Sequence, residues 1–150
     1  MVVMPTAAPT TDIADLASRL RLGVTRLARK LRREGDTGIT PTLLAALSTI
    51  ERHGPVTAGT LASYEQVEKP TVTRLLSVLE ERALIERTPD PLDGRVTWVQ
   101  ISASGRKLLQ STRCRKDGYL AKRIKALSTG EQATLERAAE ILDRLAEEDR

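Results

Sequence analysis

Residues 68–77 read EKPTVTRLLS, and the reading of this stretch decides the fold. From Val72 onward, Val72, Leu75, Leu76 and Leu79 follow the i, i+3, i+4, i+7 spacing of an amphipathic helix. Pro70 falls in the first turn, where a missing N–H leaves no helical hydrogen bond unmade. A step of about 100° per residue gathers Pro70, Thr73, Arg74 and Ser77 on the opposite face. A helix with only a folding role would fill that face with Glu, Lys, Gln and Ala, which favour helix more than Thr or Ser do. The face reads as a contact surface.

Working outward, Thr57 is a cap for a short preceding helix that buries Leu61 and Ala62, ends near Tyr64 and turns at Gln66 and Val67. Two short helices joined by a tight turn form a helix-turn-helix unit. On the other side, Leu84 to Arg87, the turn-rich TPDPLDG of residues 88–94, and Arg95 followed by VTWVQI predict a two-stranded hairpin with a loop at its tip. Farther out, Asp12 to Arg33 carries Ile13, Leu16, Leu20, Val24, Leu27 and Leu31 as a long, narrow helical stripe ending before Gly35. Thr40 and Pro41 open a second helix that buries Leu43, Leu44, Leu47 and Ile50 and stops at Gly54, after which Pro55 and Val56 form an extended link. Ser102 to Leu127 is a fifth helix carrying Leu108, Leu109, Leu120 and Ile124. Ser128 to Glu131 has the spacing of a capping box for a sixth, carrying Leu135, Ala138, Leu142 and Leu145. The fold class is mainly α, about six helices plus a small β-hairpin.

Composition supports that class. At 150 residues and 16.5 kDa the chain is one ordinary domain that needs no disulfide or metal staple. It has no Phe, and only Trp98, Tyr64 and Tyr119 are aromatic, so Leu, Ile, Val and Ala must build the core. Cys114 is the sole cysteine, which excludes an intrachain disulfide and any multi-cysteine zinc site. The N-terminal MVVMPTAAPTTD lacks the basic start and apolar run of a signal peptide, and no segment approaches the ~20 apolar residues that span a bilayer. A cytoplasmic protein with no membrane partner is expected, its first ten residues (1–10) disordered and residues 11–150 a single domain.

The net charge of +4 is unevenly distributed. Residues 52–126 carry 14 Lys or Arg against 8 Asp or Glu, whereas residues 131–150 carry 3 against 7. A basic middle fits a polyanionic partner. On the polar face of residues 70–77, Thr73 and Ser77 offer small donors and acceptors, and Arg74 can fork onto a guanine in a DNA groove. Lys69, Thr71 and the first-turn N–H groups are suited to phosphates, because a helix N-terminus is electropositive. In the hairpin, Asp93 and Arg95 lie at the tip, close enough for the carboxylate to orient the guanidinium while the loop reaches the backbone or minor groove. Arg87, on the strand leading to the tip, joins this second set of DNA contacts.

The order of these elements resembles the MarR family of winged-helix transcription regulators. The similarity runs from the first helix to the sixth and is densest between Thr57 and Leu108, where KPTVTRLL opens the DNA-reading helix, LEERALIER leads into the wing, Asp93 and Arg95 form a D-x-R signature, and Ser102 and Gly105 form an S-x-x-G opening to the fifth helix. The resemblance implies a homodimer. Residues 11–35 and 104–150 would interleave as a helical dimerisation platform, and residues 40–103 would form the winged helix-turn-helix lobe. It implies a repressor on a palindromic double-stranded operator, its two reading helices about 34 Å apart. Release would come from a small phenolic or other aromatic effector, or from cysteine oxidation. No motif marks the residues that would bind an effector.

Four departures from the family pattern stand out. Glu68 replaces a usual Ser, which puts the cap and one backbone contact in doubt. Gly94 replaces a common second Arg, and Ala83 and Gln66 replace turn glycines, which suggests different turns. Arg113 and Arg115 beside Cys114 would favour a thiolate at an exposed position, yet sensing members carry their cysteine near the N-terminus, so a passive residue is the preferred reading over a redox sensor. His53 suits a helix C-terminus, and Trp98 reads as a packing residue. No metal, cofactor or catalytic motif is present, so an enzyme is not expected. The alternative to a DNA-binding regulator is a winged-helix protein-interaction module without DNA binding.

Overall fold

The computed structural model describes residues 12–147, so the expectation for residues 1–10 lies outside the described part. Its elements, in order, are α1 (Ile13–Glu34), α2 (Pro41–His53), α3 (Ala58–Glu65), α4 (Lys69–Glu81), β1 (Ile85–Pro89), β2 (Thr97–Ile101), α5 (Ala103–Lys125) and α6 (Thr129–Glu147). This is the expected mostly helical architecture with a hairpin wing.

Side-chain caps close helix starts, at Thr40 and Thr57 as the sequence suggested. The Asp12, Thr40, Thr57 and Ser102 side chains accept from the N–H groups of Ala14, Leu43, Thr60 and Gly105. At α6, Ser128 and Glu131 close a reciprocal box: the Ser128 N–H and hydroxyl donate to Glu131 Oε2 at 2.9 and 2.8 Å, and the Glu131 N–H donates to Ser128 Oγ at 3.3 Å. Those bonds, the Ser128 N–H first, hold the Glu131 carboxyl below its ordinary value.

One core sits beneath α2, α3, α4 and the hairpin. Leu47 and Ile50 of α2, Leu61 of α3, Val72, Leu76 and Leu79 of α4 and Val99 of β2 are its largest fully buried side chains. Leu44, Leu75 and Leu108 pack against it from its edge. The hairpin is antiparallel, pairing Ile85 with Ile101 through to Pro89 with Thr97. The link after α2 does more than connect: Val56 exchanges backbone bonds with Val99 at 2.9 and 2.8 Å, adding a third, one-residue rung to the wing.

Helices α1 and α6 contribute no buried residue. α1 packs along α5, yet Leu16, Leu20 and Leu27 of α1 and Leu135, Ile141, Leu142 and Leu145 of α6 remain exposed. In α5 burial ends with Thr112, and Ile124 is exposed, because that half of the helix has passed beyond the core.

Gly105 explains the S-x-x-G opening. A Cβ there would collide with the Leu84 carbonyl and stand 2.7 Å from the Ile101 side chain. Ser102 completes the joint: its hydroxyl donates to the Ala83 carbonyl at 2.7 Å and accepts from the Gly105 N–H at 3.0 Å. The two residues lock α5 against the base of the wing.

Candidate nucleic-acid interface

α4 presents Lys69, Pro70, Thr71, Thr73 and Arg74 to solvent, with Ser77 half-buried at the edge of the same face. Arg74 forms no ion pair among the described residues. The hydroxyls of Thr73 and Ser77 donate back to the carbonyls of Lys69 and Thr73, each at 3.0 Å. Their protons are engaged within the helix, so in this arrangement the oxygens face outward as acceptors rather than as the donors and acceptors expected. Lys69 lies over α3, its Nζ 4.0 Å from the position a Cβ on Gly59 would take.

The start of α4 has fewer free donors than expected. Glu68 occupies the cap position with extended backbone and makes no side-chain capping bond. Pro70 has no N–H, and the Thr71 N–H bonds the Glu68 carbonyl at 3.0 Å. That leaves the Lys69 N–H as the first-turn donor able to meet a phosphate.

Two departures from the family pattern leave the turns unchanged. Gln66 and Ala83 both adopt the left-handed conformation, with φ of 53° and 56°. The Ala83 N–H bonds the Glu80 carbonyl at 2.8 Å and the Leu84 N–H bonds the Leu79 carbonyl at 2.9 Å, so α4 closes with the turn a glycine would make. The cost is conformational strain of about 1 to 2 kcal/mol per residue.

In the wing, Arg95 and Asp93 are exposed at the tip. The expected side-chain pairing is absent: the Asp93 carboxylate accepts the backbone N–H of Arg95 at 3.0 Å, and among the described residues the Arg95 guanidinium forms no ion pair. The carboxylate shapes the turn and leaves the guanidinium free. Arg87 is held differently. Its Nε lies 2.8 Å from Glu80 Oε2 of α4, although that N–H is not aimed at the oxygen as a hydrogen bond. A charge expected among the wing's DNA contacts is thus drawn onto α4.

Trp98 is not a core residue. It stands on the outer face of β2, about a third exposed, and its indole N–H donates to Asp90 Oδ2 at 2.8 Å. That bond, followed by the N–H bonds of Leu92 and Asp93, holds the Asp90 carboxyl below its ordinary value. Cys114 is exposed. Its flanking arginines are engaged elsewhere: Arg113 pairs with Glu51, and Arg115 donates to the Asp36 carbonyl at 3.1 Å. His53 closes α2 and stacks on Tyr64 with ring centroids 4.2 Å apart.

A cleft that no local motif marked lies where the end of α1, the start of α2 and the middle of α5 meet. Its volume is about 540 Å³, and its lining combines Arg29, Arg32, Arg33 and Lys116 with the apolar Ile39, Pro41 and Leu44.

Comparison with known proteins fits this geometry. The sequence profile of the MarR family matches residues 39–97. An uncharacterised HTH-type transcriptional regulator of Mycobacterium bovis, Mb0904, is 37% identical over 136 residues, covering 90% of this chain and 95% of its own. The chain belongs to the MarR family. Among solved structures, a Pseudomonas aeruginosa protein assigned as a transcriptional regulator superposes with a TM-score of 0.82 at 36% identity, covering 93% of this chain and 99% of the other. A mutant of Staphylococcus aureus MepR bound to an oligodeoxyribonucleotide shares the fold, with a TM-score of 0.71 at 24% identity over 87% of this chain and 97% of that one. The protein is therefore a MarR-family transcriptional regulator with a winged-helix fold, a role that is not enzymatic. As in a MarR-family regulator, α3 and α4 form the helix-turn-helix and β1 and β2 the wing.

Proposed function

We propose that this regulator is a homodimeric repressor that binds a palindromic operator through α4 and the wing and is released by a small aromatic effector. One observation carries the reading: Thr73 and Arg74 stand exposed on one face of α4, while the wing carries a guanidinium at Arg95 that forms no ion pair among the described residues. Such a pairing suits base-edge contact in a major groove with flanking contact by the wing. MdtR of Bacillus subtilis, a relative 26% identical, is named a repressor, which supports that sign of regulation.

The dimer follows from the bare stripes of α1 and α6. Contiguous apolar patches of this kind mark association surfaces, and residues 11–35 and 104–150 are proposed as the platform. The basic and apolar cleft beside Arg32, Lys116, Ile39 and Leu44 suits an aromatic anion, which can stack on apolar walls while its charge meets the cations. Lying between platform and reading lobe, a ligand there could bias their relative position. Cys114, with neither neighbouring arginine turned to it, is read as passive.

Glu68 favours one rival reading. A carboxylate at the mouth of the reading helix opposes a phosphate, as expected of a protein-interaction module that no longer binds DNA. A gel shift against the DNA upstream of the protein's own coding sequence separates the two. Specific binding that weakens steeply with salt supports the repressor; indifference to DNA at low salt supports the module.

A further inference from the structure

The seven-residue tip between β1 and β2, residues 90–96, is organised around one carboxylate. Asp90 Oδ1 accepts the N–H groups of Leu92 and Asp93 at 2.8 and 3.1 Å, and Oδ2 accepts the indole N–H of Trp98 at 2.8 Å. The Asp90 N–H bonds the Val96 carbonyl at 2.8 Å, and the Val96 N–H bonds the Asp93 carbonyl at 3.0 Å. Asp93 in turn accepts the Arg95 N–H. A path of bonds runs from Arg95 through Asp93 to Asp90, and Asp90 is tied to the strand body by the indole.

The Trp98 ring has an exposed position that folding alone does not require. It lines a shallow recess of about 240 Å³ with Pro55, Thr88, Pro89 and Pro91. The prolines stiffen the chain on either side of Asp90. A large ring on the outer face of a hairpin, with its one donor spent on the tip, suits a brace better than a core residue.

We propose that Trp98 and Asp90 act as a clamp that holds the wing tip in the shape presenting Arg95 to DNA, an inference that rests on the DNA-binding role proposed above. Trp98 is a positioning residue. Arg95 makes the contact, and without the clamp it must be ordered at the moment of binding, which weakens affinity by the entropy of ordering.

The test uses Trp98→Phe, which keeps the aromatic ring and removes the N–H, together with Arg95→Ala and the double variant. The probe is a duplex selected by the wild-type protein from a randomised pool. Trp98→Phe is expected to weaken binding roughly threefold to tenfold, the size of one hydrogen bond's net contribution. On an Arg95→Ala background the same change should cost less than twofold, because the residue it positions is gone. A readout independent of DNA accompanies this: backbone 15N heteronuclear NOE values for residues 92–95 should fall in Trp98→Phe while the melting temperature stays unchanged. Undiminished NOE values, or full additivity of the two substitutions, would overturn the clamp. If the wild type selects no duplex at all, the DNA-binding role fails and takes the clamp's purpose with it, while the NOE comparison still reports whether the brace exists.

Discussion

Replacing Glu68 by Ser tests how the reading helix meets the DNA backbone. Two effects on folding oppose each other. A Ser hydroxyl at the cap could accept one N–H, but Pro70 offers none and the Thr71 N–H is already bonded to the Glu68 carbonyl, so the gain lies near the low end of the usual ~0.5 to 2 kcal/mol. Losing a carboxylate from the positive end of α4 forfeits about 0.3 to 1 kcal/mol. Stability should therefore change by less than about 1 kcal/mol. Binding should change more. A unit charge about 7 Å from a phosphate in water repels it by roughly 0.6 kcal/mol, and a hydroxyl donating to that phosphate adds about 0.5 to 1.5 kcal/mol. Together these predict affinity higher by about fivefold to thirtyfold, measured by fluorescence anisotropy on a selected duplex at fixed salt. Glu68→Ala should recover only the electrostatic part, about threefold. An unchanged or weaker affinity in Glu68→Ser, with an unaltered melting temperature, would refute the placement of this helix end against the backbone.

Three other expectations concern separate parts of the molecule. Arg74→Ala should cost about 1 to 3 kcal/mol in binding and relax base preference at one operator position; an equal loss on every sequence would reassign the side chain to the backbone. Gly105→Ala should destabilise the fold by about 1 to 3 kcal/mol, because the added methyl meets the Leu84 carbonyl and the Ile101 side chain, and an unchanged melting temperature would contradict that close approach. Asp90 has a carboxyl held below its ordinary value of 3.8, so its contribution to wing order is complete above that pH and is lost as the pH falls through the depressed value. Emission from Trp98, the sole tryptophan, should report this with a midpoint below the ordinary aspartate range, and a midpoint at or above about 4 would contradict it.

Much of the fold was legible because it is written in local chemistry. The apolar spacing from Val72 to Leu79, the caps at Thr40 and Thr57, and the Ser128–Glu131 box each act within a few residues. What was not legible depends on residues far apart in the chain or on backbone choices that side-chain identity only biases. Ala83 and Gln66 suggested altered turns, yet backbone hydrogen bonds close both turns with these residues in the left-handed region that glycine would occupy. Arg87 read as a wing contact, but its partner Glu80 lies on another element. Trp98 read as a packing residue, and its bond to Asp90 arises only once the hairpin register is set. The cleft draws on α1, α2 and α5 and has no motif at all. Of the DNA face itself, the exposure of Lys69, Thr71, Thr73 and Arg74 followed from helical geometry, whereas the inward donation by Thr73 and Ser77 did not.

The most direct measurement is dimethyl sulfate protection of guanine N7 on a selected duplex, since N7 faces the major groove. Two symmetric clusters of protected guanines about 10 base pairs apart are predicted, each losing protection in Arg74→Ala. A single cluster, or a bound complex with its guanines fully reactive, would contradict a dimer reading successive major grooves through α4.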